Sequence, residues 1–178
     1  MGGVALEKFL EKISAYELLN NLLPGTLLCA LLNWHTGGQF AIDNVFVEII
    51  SFYSAGLIIG RIGSLVIEPL FKKLKIIRTA DYKDFIAASE KDPKIDVLST
   101  KNNLYRTFTA LFLLYAVFLI SDWIIKICPI LQRWIRPIAI ILLILLFSFS
   151  YRKQTNYIRN RVNIQNAKTE QKEEEITK

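Results

Sequence analysis

Five polar side chains lie where their chemistry is expensive unless it is shared. Glu17, Asn20 and Asn21 fall in the apolar stretch "YELLNNLLPG" (16–25), and Arg61 and Glu68 in "GLIIGRIGSLVIEP" (56–69). An ionised group inside a bilayer costs ~2.5–3.5 kcal/mol or more, so such groups face a bundle interior or water and pair with one another. Glu17, Asn20 and Asn21 stand at i, i+3 and i+4, which is one face of a helix. Arg61 and Glu68 are seven residues apart, again nearly one face. Arg61 lies roughly 16 Å of helix rise from Lys72, and its long stem can carry the guanidinium toward that end. The pattern predicts a polar cluster of Glu17, Asn20, Asn21, Arg61 and Glu68 between two apolar helices. Beside it, Gly56, Gly60, Gly63 and Ser64 form a helix-packing surface that lets another backbone come close.

That cluster reads in three ways. It can be a structural lock between helices or subunits. It can line an ion path or gate, with Arg61 setting selectivity or holding it shut. Or Arg61 can simply snorkel to the interface. Other chemistry is not expected. The single histidine, His35, sits in the polar turn "HTGGQFAIDN" and reads as a solvated loop residue. The chain has no HExxH, no Gly-rich phosphate loop and no nucleophile elbow. Asp81, Asp84, Asp92 and Asp96 lack the spacing of a calcium loop and read as caps and solvated faces. Cys29 and Cys128 belong to the same half of the molecule but to different depths, so no disulfide is expected. No catalytic residue, metal or cofactor follows, and the chain does not read as an enzyme.

The elements that must position the cluster are apolar blocks, at roughly 15–34, 45–71, 107–125 and 137–151. Apolar residues make up 52% of the 178, and mean hydropathy is +0.32. Each block approaches the ~20 residues that cross a hydrocarbon core. Aromatic residues bound three of them. Tyr16 to Trp34, Tyr105 to Trp123 and Trp134 to Tyr151 are separated by roughly 26–27 Å of helix rise, close to the ~30 Å core. Tyrosines then mark one interface and tryptophans the other.

Cations orient the spans. The segment before the first block holds two Lys or Arg, residues 72–106 nine and the tail from 152 seven. The turn at 35–44 holds none and that at 126–136 three, so the positive-inside bias puts both termini in the cytoplasm. The formal charge of +6 follows from this topology and from attraction to anionic lipid, and a nucleic-acid partner is not expected.

The expected fold is an all-α membrane protein with four transmembrane helices and a helical cytoplasmic loop between spans two and three. Residues 1–14 read as an amphipathic interfacial helix, and 15–71 as the first two spans. Residues 72–104 form the cytoplasmic loop, with Asp81 as the N-cap of a short helix. A hairpin of spans three and four occupies 105–151. Residues 152–178 continue as helix to about Gln165 and end in a disordered tail. Pro24-Gly25 marks a kink in span one.

At "FYSAGLIIGRIGSLVIEPLFKKL", followed by "ADYKDFIAASEKDPKIDVLSTKNNLYRTF", the chain resembles small bacterial four-span membrane proteins associated with antiphage defence. These include membrane accessories of CRISPR loci of the Cas13b type and four-span effectors of cyclic-oligonucleotide systems. The resemblance implies an oligomeric, membrane-perturbing or pore-forming subunit or accessory of the inner membrane. Two alternatives stand beside it. One is a non-conducting scaffold that docks a cytoplasmic protein through 72–104, and the other is a housekeeping channel or transporter subunit. The implied partners are the lipid bilayer, further copies of the chain and a cytoplasmic protein.

Overall fold

The computed structural model describes residues 18–39 and 42–176, with side chains over 20–39 and 42–167. The expected interfacial segment 1–14 and Glu17 lie outside the described residues. Every described element is helical. Helix α1 opens with a π turn, Leu18–Leu22, and continues as Leu23–Thr36. Helix α2 is Val45–Lys73, α3 is Tyr82–Ser89, α4 is Lys94–Ile127 and α5 is Gln132–Ile176. Three helical stretches are long and apolar enough to cross a membrane: Val45–Lys73, Lys94–Ile127 and Pro129–Ala167.

Local signals explain the boundaries. Helix α1 ends where Gly37 takes φ +67°, a left-handed conformation that glycine adopts without cost, and both Gly37 and Gly38 donate backbone N–H to the Asn33 carbonyl. Helix α2 begins at Asn44, whose Oδ1 accepts from the N–H of Phe46 at 3.0 Å and Val47 at 3.3 Å. Asp81 precedes α3 in extended conformation, as expected for an N-cap, but its side chain makes no capping hydrogen bond. Cys128 and the 3₁₀ turn Pro129–Leu131 reverse the chain between α4 and α5. Both cysteines are free thiols.

Helix α5 runs past Gln165 to Ile176, beyond the end that the loss of apolar residues suggested. The reason is intrinsic propensity: Ala, Lys, Gln and Glu dominate 167–175 and are among the strongest helix formers.

Helices α1, α2 and α4 share a small core. Ile59, Ile67, Ala110 and Leu111 are buried there, with Leu27, Leu28, Leu31, Ile62 and Phe108 packed around them. The outward faces stay apolar, and the aromatic belts point away from the protein: Trp34, Trp123, Trp134, Tyr105 and Tyr151 are all exposed. Lipid tails tolerate such faces, and helix association then rests on close packing and polar contacts rather than on hydrophobic burial.

The closest approach is between α1 and α2. A Cβ placed on Gly56 would overlap the Asn21 carbonyl oxygen, and one on Gly25 would overlap the Phe52 carbonyl oxygen. Pro24-Gly25 therefore serves a backbone crossing. Gly63 admits α4, where a Cβ would sit 3.4 Å from Arg106 Cγ and 3.6 Å from Ala110 Cβ. Gly60 is looser, with only Asn21 Oδ1 at 4.0 Å. These glycines are spent on contacts inside the chain.

Candidate functional site: a carboxylate hub joining three helices

Pro69 sets up the site. Proline lacks an N–H and its ring crowds the carbonyl four residues back, so a regular helix cannot pass through it unchanged. Helix α2 responds with a π turn at Gly63–Ile67, in which the Glu68 N–H bonds to the Gly63 carbonyl, five residues back. The Ser64 carbonyl then has no backbone donor, because Glu68 is engaged elsewhere and Pro69 has nothing to give. Lys153 of α5 takes up the vacancy. Its Nζ donates to Ser64 O at 2.8 Å and to Ser64 Oγ at 2.7 Å.

Glu68 stands next to that contact with a side chain only 14% exposed. Its Oε1 accepts from Lys72 Nζ at 2.9 Å, one turn along α2. Its Oε2 accepts from Arg106 Nη1 of α4 at 2.8 Å and from Lys153 Nζ at 3.3 Å. One carboxylate thus ties three helices together, and three cations surround one anion. Arg106 Nε is buried without an acceptor among the described residues. Lys153 also lies 5.8 Å from the centroid of the Tyr157 ring, which packs against Tyr82 at 5.5 Å and so connects α5 to α3.

Beside the hub opens a cleft of about 890 Å³, walled by the end of α2, the 77–81 connection, α3, the start of α4 and Tyr157. Helix α3 is held in that wall by Ile86, which is 2% exposed.

The sequence-predicted cluster divides. Glu68 is the centre of the hub, and Ser64 is an acceptor for Lys153 rather than merely a small residue. Arg61 is half-buried and makes no ion pair or side-chain hydrogen bond among the described residues. Arg61 and Glu68 do not meet because the π turn lies between them. Its extra residue leaves the seven-residue spacing short of a common face by about 100°, one residue's rotation. Asn20 Oδ1 is buried without a donor among the described residues, and Asn21 meets Gly56 through its backbone.

Arg106, Lys153 and Lys72 entered the sequence reading only as topology markers. The available signal was depth: Arg106 follows Tyr105 and Lys153 closely follows Tyr151, so both sit level with Glu68.

A second polar contact lies at the far end of α4. His35 Nε2 is 3.3 Å from Asp122 Oδ2, Lys126 Nζ is 2.7 Å from the same oxygen, and Phe118 meets the His35 ring edge-on at 5.6 Å. His35 is therefore tied to a span rather than free in its turn. Arg106 and Asp122 are sixteen residues apart, roughly 24 Å of helix rise, so polar contacts bound an apolar band at both ends. Comparison with protein-family models, with curated proteins and with solved structures finds no match for this chain.

Proposed function

We propose that the chain is a four-span protein of the bacterial inner membrane, with both termini and the 72–104 loop in the cytoplasm. In this reading it assembles with copies of itself into a membrane-perturbing or pore-forming unit of the antiphage type that its sequence resembles. The observation that supports assembly is the state of α5. None of its most apolar stretch is buried within the chain, and its polar root at Lys153 and Tyr157 carries the contacts to α2 and α3. Helix pairing in lipid rests on side-chain packing, and a neighbouring copy supplies to α5 what its own chain does not. Arg61, at depth and unpaired among the described residues, is the natural cation for a shared polar path.

The test is a single cysteine at Ile141 in a Cys29→Ala, Cys128→Ala background, oxidised in native membranes while a dye reports membrane potential. Covalent dimers and depolarisation are expected. Monomers in a silent membrane would defeat the proposal. A second reading, a scaffold for a cytoplasmic protein, is favoured by one feature: α3 packs against α4 and buries Ile86, so the connection is an ordered surface. A silent membrane with a protein retained on the chain supports that reading.

A further inference from the structure

We propose that the cleft beside the hub binds the phosphate head group of an anionic phospholipid, gripped by Arg106, Lys72 and Arg78. Charge is the first reason. Lys72, Arg106 and Lys153 surround a single carboxylate, which leaves positive charge uncompensated at the cleft. Arg78 lines the same cleft, is exposed and makes no ion pair among the described residues; Asp81 is the further acid in the lining. Donor capacity is the second reason. Arg106 lines the cleft and commits Nη1 to Glu68, and its guanidinium carries further N–H donors of the kind that match phosphate geometry.

Shape and lining make the ligand an amphiphile rather than a free phosphate. Phe71, Phe85 and Leu98 line the cleft next to the cations, and Leu74 and Ile76 stand exposed beside them. An acyl chain fits such a surface, whereas a soluble phosphate ester leaves it in water. Location agrees, since Tyr105 lines the cleft and belongs to the tyrosine belt. Basic pockets between spans on the cytoplasmic side take anionic head groups for these electrostatic reasons. The inference rests on the bilayer reading and is independent of pore formation.

The full chain is placed in nanodiscs of phosphatidylcholine alone or with a minor fraction of phosphatidylglycerol. Its unfolding midpoint is measured, and the lipid it retains is identified by native mass spectrometry. Phosphatidylglycerol is expected to be retained selectively and to raise the midpoint. Arg78→Gln should lower that retention about fivefold, the effect of one cation near a lipid phosphate, and leave the midpoint in phosphatidylcholine unchanged. Arg78→Lys should recover most of it. Equal retention of the two lipids, or no effect of Arg78→Gln, overturns the site. If glycerol 3-phosphate displaces the lipid and gives the same midpoint rise, the site belongs to free phosphate esters and the lipid assignment fails. Resistance of the chain to carbonate extraction from membranes reports embedding separately, so loss of the bilayer reading and loss of the head-group site are told apart.

Discussion

Replacing Glu68 by Gln keeps its shape and removes its charge, leaving Lys72, Arg106 and Lys153 facing one another around a neutral amide. Breaking an enclosed pair from one side costs about 3 kcal/mol, because the remaining charges stay in place uncompensated. Thermal unfolding in detergent should show that loss. The double variant Glu68→Gln, Lys153→Met should recover part of it, since contacting groups are not additive. An unchanged midpoint for Glu68→Gln alone would mean that the hub holds nothing together. The sequence singled out Arg61 and Glu68 in α2, but not the partners of Glu68. A helical wheel of constant pitch puts Arg61 and Glu68 side by side, and the π turn makes that wheel wrong between them. Pro69, five residues after Ser64, was the visible sign that the pitch changes.

Among the elements, the α1–α2 crossing makes the sharpest contrast. Gly56→Ala puts a methyl group into the Asn21 carbonyl, a backbone atom that cannot rotate aside, so the helices must part. Overpacking of this kind costs about 1–3 kcal/mol. Gly60→Ala, one turn on, meets only Asn21 Oδ1 at 4.0 Å and should be neutral or stabilising by up to about 1 kcal/mol through helix propensity. Unfolding midpoints of the two variants check the pair, and equal losses would contradict the crossing geometry. The sequence marked these glycines as packing residues because small side chains at helical spacing have few other uses in an apolar helix. It could not say which helix each one meets, since that depends on the crossing itself. Helix ends were legible where a residue type dictates them, as at the turn holding Gly37, whereas the Asn44 cap of α2 emerged only in the fold. The far end of α5 was not, because propensity without an apolar face resembles disorder in composition.

At the scale of the whole molecule, the distribution of cations makes a directional forecast. Lys91→Cys, in a background lacking Cys29 and Cys128, should react with a membrane-impermeant maleimide in inverted vesicles and not in intact cells. The reverse pattern would turn the molecule over and move the hub to the other face. Three helices long and apolar enough to cross a membrane are present among the described residues, and the expected first span is not one of them; the three were legible early because lipid demands length and apolarity at once. The tie between α5 and the rest was hidden, since it joins residues 64 and 153 through a carbonyl vacancy that no pattern of side chains announces.

The unbroken course of α5 has a mechanical side. From Lys153 to Ile176 the helix extends roughly 35 Å, several times the ~8 Å over which salt screens charge in the cell. In the proposed topology its root, with Arg152, Lys153, Arg159 and Arg161, lies within reach of the lipid surface, whereas Glu170, Glu173, Glu174 and Glu175 stand at positions beyond that influence. A molecule that seizes the tip therefore acts on a stiff lever arm. Its fulcrum is the ammonium lodged at Ser64, and a modest sideways pull far from the bilayer becomes a torque on α2.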